Sequence, residues 1–406
     1  MRCGSAKGAS GCRPSVLAVW QPSAGGGRPG AGRCSPRARV SPPPQPSPAR
    51  GGGSRRALGA KVDLFGDGAP PTPKSVKPPA EAKKPRTKGI QPADANPTLI
   101  ELAEHLHARY GERLRLGTSS WYFPGWAGFV WSAAAREASE QKVSREGLRA
   151  YALHPLLQSV SLDRAFYTPM TASDYARYAN QVGPGFRFTS KCWRGITDPV
   201  IEGTPNPLFM DGHYAREQIL QPFLDGAGVK AGVQVLQFSP GLPRRARLTP
   251  RSFAERLDAL LATLASPIPV VVELRDAELL TPDYFAVLQR HGAEHCINVH
   301  PRSGVAVIEQ ARLIGRRPEP LVIRWMLHAG FEYEEARERY APFEKLVDED
   351  PATRRAVARL ARRALDAGGT VYVIANNKAE GSAPLTLFKL AAEIAGEPES
   401  AAARSP

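Results

Sequence analysis

From Thr98 onward the chain alternates short apolar runs with amphipathic segments eight times, and few folds satisfy that pattern. The apolar runs are "RLGTSSW" (115–121), "SVSLDRAF" (159–166), "FRFTSKC" (186–192), "GVQVLQFS" (232–239), "PVVVELRD" (269–276), "HCINVH" (295–300), "PLVIRWML" (320–327) and "TVYVIANN" (370–377). Each has the length and the β-branched or aromatic content of a strand. A helix is expected first over 98–111, where Leu99, Leu102, Leu106 and Tyr110 share a face and Gly111 stops it. Further helices are expected over 144–154, 171–182, 213–224, 250–265, 281–291, 305–314, 331–347, 351–366 and 385–395. Strand and helix alternating eight times predicts an α/β fold, a TIM-type (β/α)8 barrel over residues 96–396. A doubly wound open sheet is the alternative, but it usually has fewer units, and no GxGxxG follows the first strand.

A parallel barrel places its active site where the strands end, and side chains there alternate between the interior and the helix layer. In "VVVELRD" this puts Val271, Glu273 and Arg275 inward and leaves Val272 and Leu274 for the helices. The same alternation turns Asp163 and Ser161 inward on the second strand, Lys191 on the third and Gln237 on the fourth. It adds Asn298 and His300 on the sixth, Arg324 on the seventh and Asn377 on the eighth. Scattered surface charge would not converge in this way. Three cations, Lys191, Arg275 and Arg324, face two carboxylates, Asp163 and Glu273, so the expected pocket is positive.

The net charge of +15 would suggest a nucleic-acid partner if it were spread over the fold. It is not. Residues 1–95 hold 17 Lys and Arg against four acids, whereas the remainder has 37 basic and 35 acidic residues. The basic segment is dominated by Gly, Pro, Ser and Arg, as in "GGGRPGAGRCSPRARVSPPPQPSPARGGGSRR", with too few large apolar residues to offset chain entropy. Disorder is therefore expected over 1–95, and again over 397–406. The methionines are Met1, Met170, Met210 and Met326, so a non-Met start near Val62 would make much of this tail a start-site artefact. Nucleic acid is a partner such an Arg/Gly tract can contact, but not the favoured one.

No apolar run approaches the roughly 20 residues of a membrane helix, and "SVLAVW" (15–20) is shorter than a signal-peptide core. Cys192 and Cys296 stand alone in strand-like runs, Cys3, Cys12 and Cys34 lie in the tail, and no CxxC pair occurs. A soluble cytoplasmic protein with single buried thiols is expected. The sequence identifies no cofactor, substrate or oligomeric state.

Five motifs in order, "LGTSSWYFPGW", "FRFTSKCWRGITDP", "VQVLQFSP", "VVELRD" and "VYVIANNKAEGSAP", resemble the YecE-like family, also called domain of unknown function family 72. The resemblance covers about residues 114–396 and implies a TIM-type barrel, but no established activity. Where that family usually reads Val-Glu-Ile-Asn after the second strand, this chain has "VSLD", with Ser161 and Asp163 in the polar places. Where the family continues the seventh strand into Arg-x-His-Gly, "IRWMLHAG" displaces His328 from Arg324. Glu273, Arg275, Lys191, Arg324 and Asn377 match.

The residues favour an enzyme or binding protein for a phosphorylated or otherwise anionic small molecule. Arg forks and a Lys point charge suit phosphate and carboxylate oxygens. Glu273 and Lys191 are the candidate catalytic groups, Glu273 as a general acid or base tuned by burial and cations. Arg275, Arg324, Asp163, Gln237, Asn298, His300 and Asn377 are the candidate ligand contacts. One alternative is a metal-assisted hydrolase of nucleic acid or another phosphoester, with Asp163, Glu273, His300 and His328 as ligand types, although His300 and His328 have no HxxxH or HxH spacing between them. Another is a non-enzymatic interaction module, which would need a basic footprint on the fold itself.

Two more segments have double readings. "SWYFPGWAGFVW" (120–131) packs six aromatics into one loop, as a stacking lid over the barrel mouth or as an apolar plug anchoring the loop. "ATRRAVARLARR" (352–363) is basic, yet Val357, Leu360, Ala361 and Ala364 form an apolar stripe, as on a packing helix with a solvated face.

Overall fold

A computed structural model of the chain describes residues 89–94 and 96–396; the expectations for residues 1–88 and 397–406, including the tail cysteines, lie outside them. All eight expected strands form: β1 (Leu114–Thr118), β2 (Leu157–Leu162), β3 (Arg187–Lys191), β4 (Ala231–Gln237), β5 (Val270–Glu273), β6 in two pieces (Glu294–His295 and Ile297–Val299), β7 (Leu321–Trp325) and β8 (Val371–Ala375). Every neighbouring pair is parallel. The order runs β5, β4, β3, β2, β1, β8, β7. β6 joins the two ends, because its first piece pairs with β5 and its second with β7. This is the TIM-type barrel that the alternation predicts.

The inward face is confirmed by an interior cluster of Val233, Val235, Val271, Cys296, Val322 and Tyr372, separate from the clusters beneath the helices. Strand alternation carries that face upward from Val271 to Glu273 and from Val322 to Arg324. Gly117 lies where β1 shifts register against β2, and an added Cβ would meet the Ser159 carbonyl oxygen at 2.3 Å. Only glycine permits that approach.

Helices surround the sheet, several begun by side-chain caps. Asn96 caps Pro97–Tyr110, Thr171 and Asp174 form a capping box on Ala172–Ala179, and Asp350 caps Pro351–Asp366. Three helices differ from expectation for local reasons. The one expected over 144–154 is divided at Gly147 into Glu140–Glu146 and Leu148–Tyr151. The one expected over 213–224 contains a π-helical stretch, Ala215–Leu220, just before Pro222, which has no N–H to continue the regular ladder. The one expected over 331–347 is only Tyr333–Tyr340, ending before Pro342.

The aromatic loop after β1 is mainly a plug. Trp126 and Trp131 are fully buried and stack at 6.4 Å, and their indole N–H groups donate to Asn377 Oδ1 (3.2 Å) and the Phe123 carbonyl (2.9 Å). Ala93 N–H donates to the Val130 carbonyl and Ser132 N–H to the Gln91 carbonyl, each at 3.0 Å. Residues 91–93 are thus part of the folded unit, although composition groups them with the tail. Helix Pro351–Asp366 packs by its apolar stripe, with Leu360 only half-buried. It also buries Arg354, which donates to Glu380 at 2.7 Å and Glu349 at 2.8 Å. Among the described residues no helix is long and apolar enough to cross a membrane, and Cys192 and Cys296 are buried free thiols.

Candidate functional site

The charged end of β5 projects into the barrel. Glu273 has no exposure, and both of its oxygens are engaged. Arg275 donates to Oε1 through Nε (3.1 Å) and Nη2 (3.0 Å), while Arg324 Nη1, equally buried, donates to Oε2 and to Gln237 Oε1 at 2.8 Å. Burial by itself would raise the Glu273 carboxyl pKa, but Arg324, then Arg275 and Lys191, outweigh it and hold it at about 2. Such a group is an anion at every physiological pH. It anchors two arginines and is a poor proton carrier, which departs from the acid–base role that the sequence suggests for it.

Nearer the opening, Lys191 Nζ lies 3.1 Å from Asp163 Oδ2 and 5.0 Å from the centroid of the Phe166 ring. Asp163 also accepts from Ser161 Oγ at 2.7 Å and faces Arg324 Nη2 at 3.6 Å, an ion-pair distance too long for a hydrogen bond. Burial lowers the Lys191 pKa to about 8; Asp163 opposes the shift and Arg324 adds to it. A lysine tuned to that range can both give and take a proton near neutral pH.

His300 Nε2 is 3.2 Å from Arg275 Nη1, and its Nδ1 accepts from Arg302 N–H at 3.1 Å. Burial, and then Arg275, lower its pKa to about 4. Asn298 is buried beneath, donating to the Leu274 carbonyl at 2.7 Å, and its Oδ1 has no partner among the described residues.

Eight of the nine expected site residues therefore come together: Asp163, Lys191, Gln237, Glu273, Arg275, Asn298, His300 and Arg324. Asn377 does not join them. Its Oδ1 accepts from Trp126 Nε1 and from Ala383 N–H at 2.9 Å, fastening the aromatic plug and the start of helix Ala383–Ala395. Tyr372 sets the inward face of β8, the strand ends at Ala375, and Asn377 falls on the other phase.

A fourth cation, Lys378, in the turn after β8, is missed because the sequence reading takes the phase of Asn377, not that of Tyr372, as the inward one. It is buried, with Nζ 4.0 Å from the centroid of the Tyr333 ring. Burial, followed by Arg337, lowers its pKa to about 8, while Glu334 and Asp163 oppose the shift. Its place in "NNKAEGSAP" is a signal that could have drawn attention to it. Among the described residues no three His, Cys, Asp or Glu gather as a metal-binding group, and His328 Nδ1 accepts instead from Gly330 N–H at 3.2 Å. Asp163 and Glu273 each face cations that would compete with a metal ion for their oxygens.

Eight parallel strands closed into a barrel, with ionisable groups crowded at their carboxyl ends, define the class: a parallel α/β barrel with a polar, cation-rich mouth. A family model described as "Protein of unknown function DUF72" matches residues 115–406, and the chain belongs to that family. Similar solved structures include a DUF72 family protein from Enterococcus faecalis V583, 18% identical, with 70% of this chain and 98% of that chain covered and a TM-score of 0.47. Another, from Thermotoga maritima MSB8, is 17% identical, with 68% and 96% covered and a TM-score of 0.45. No curated protein matches the chain.

Proposed function

We propose that the carboxyl end of the barrel binds and converts a small molecule bearing a phosphate or carboxylate, with Lys191 and Asp163 as its proton-transfer pair. The observation that carries this reading is the charge count at the mouth. Four cations, Lys191, Arg275, Arg324 and Lys378, stand against Asp163 and Glu273, and the further pair beside Lys378, Arg337 and Glu334, offset one another. Burying a cation without matching negative charge costs several kcal/mol, so an anionic ligand would relieve the surplus. Arg324 Nε and Nη2 also lack hydrogen-bond partners among the described residues. Glu273 has the role of holding Arg324 and Arg275 in place.

Thermal unfolding and calorimetry with inorganic phosphate and sulfate test the proposal. The protein should gain stability and release or absorb heat on titration, and Arg275→Ala should lose most of that response while remaining folded. No response to either anion in the parent protein would count against an anion site.

A further inference from the structure

We infer that the anion taken at this mouth carries a flat aromatic ring, and that Tyr122, Tyr167 and Tyr333 form the rim on which the ring stacks. The inference rests on the anion site proposed above and specifies the ligand's other half.

Among the described residues seven large apolar or aromatic side chains are exposed, and the three tyrosines among them all belong to the barrel mouth: Tyr122 at 38%, Tyr167 at 66% and Tyr333 at 51%. They come from three separate segments: Tyr122 from the loop after β1, Tyr167 from the end of the short helix Arg164–Tyr167 after β2, and Tyr333 from the start of helix Tyr333–Tyr340 after β7. Partial burial is the main cause raising all three hydroxyl pKa values, and the Asp163 carboxylate contributes to each; Tyr333 contributes in turn to those of Tyr122 and Tyr167. Tyr167 abuts Phe166, the ring beneath Lys191, and Tyr333 lies 4.0 Å from Lys378 Nζ, so two of the rings stand beside cations of the mouth.

Each ring is backed rather than loose. Tyr122 stacks on Phe123 at 4.8 Å, and Phe123 abuts Phe343 at 5.2 Å. Tyr167 meets the edge of Phe166 at 5.4 Å, and Phe166 lies beneath Lys191. Tyr333 lies beneath Lys378. Twice, then, an amine with a lowered pKa sits directly on the aromatic wall. A ligand with a π-face and an anionic group would find both complements within one molecule's length, the ring on tyrosine and the charge on lysine. A nucleoside monophosphate is the simplest common molecule of this class. A sugar phosphate could also lay its C–H face on tyrosine, so the two must be separated by experiment.

The full chain would be titrated by calorimetry with AMP, ribose 5-phosphate, inorganic phosphate and uncharged adenosine, and with AMP again for Tyr333→Ala, Tyr333→Phe and Tyr122→Ala. AMP should bind about tenfold or more tightly than ribose 5-phosphate, as expected for one stacked base. Tyr333→Ala should reduce AMP to the level of ribose 5-phosphate without altering phosphate affinity, and Tyr333→Phe should retain the AMP preference. Ribose 5-phosphate binding as tightly as AMP, or an AMP preference unchanged in both alanine variants, would overturn the aromatic rim. Adenosine binding that is lost in Tyr333→Ala, with no phosphate response at all, would uphold the rim and sink the anion site. Phosphate binding with no gain from the base would do the reverse.

Discussion

Arg324 on β7 and Glu273 on β5 form an ion pair across the barrel interior, with β6 between their strands and no solvent exposure on either side chain. Gln237 on β4 accepts from the same guanidinium nitrogen, and Arg275 closes the opposite side of the carboxylate. The carboxylate thus holds Arg275 and Arg324 directly, and Gln237 through Arg324. The pair forms the floor of the site, and Lys191, Asp163, His300 and Lys378 line the space above it.

Removing the carboxylate charge should be costly. Glu273→Gln leaves Arg324 and Arg275 without their common counter-charge, and breaking such a buried pair typically costs about 3–5 kcal/mol. Urea unfolding of the variant would measure it. A loss below about 1 kcal/mol would show that water or other groups compensate the arginines.

The same group predicts an acid limb of stability. Its folded pKa of about 2 lies below the ordinary 4.5, so the folded state keeps the carboxylate ionised where the unfolded chain takes up a proton. The stabilisation is complete above pH 4.5 and is lost as pH falls through 2. At about 1.4 kcal/mol per pKa unit it is on the order of 3 kcal/mol. Denaturation midpoints followed from pH 6 to pH 2 should fall for the parent protein more steeply than for Glu273→Gln; equal slopes would contradict the assignment.

For Lys191 it is the charged form that folding disfavours. Its folded pKa of about 8 is below the ordinary 10.5, so burial of its charge opposes folding below pH 8, and the penalty is relieved as pH rises from 8 to 10.5. Pulse acylation followed by peptide mass analysis should show Lys191 reacting with a midpoint near pH 8. Asp163→Asn should move that midpoint lower, because Asp163 favours the ammonium form. A midpoint above pH 10 would remove Lys191 as a proton-transfer group.

Arg354 should matter to stability and not to ligand binding. It joins helix Pro351–Asp366 to Glu380 in the turn after β8, and Glu380 Oε1 also accepts from Asp350 N–H at 2.7 Å. Arg354→Met strands a buried carboxylate, with an expected loss of about 3–5 kcal/mol by chemical denaturation. Anion affinity of the fraction still folded should be unchanged; a parallel loss of affinity would mean that this network also shapes the mouth.

Much of this protein is determined by the sequence alone, because strand alternation is a local property of the backbone. Eight apolar runs with intervening helical periodicity specify a parallel barrel, and a period of two assigns Asp163, Lys191, Gln237, Glu273, Arg275, Asn298 and Arg324 to its inner face wherever the strand stays regular. That rule fixes the period of a strand but not which of its two faces is the inner one. On β8 the inward phase is that of Tyr372, so Asn377 turned to the aromatic plug and Lys378 reached the mouth, and the sequence alone does not show which phase of this strand faces inward. The segments carrying Tyr122, Tyr167 and Tyr333 lie outside the strand period, and only closure of the barrel brings Tyr333 against Lys378 and Phe166, beside Tyr167, under Lys191. Tertiary structure also decided which inward charges pair. Glu273 and Arg324 are 51 residues apart, and their meeting depends on strand order and register around a closed sheet, whereas composition and spacing record only that both point inward.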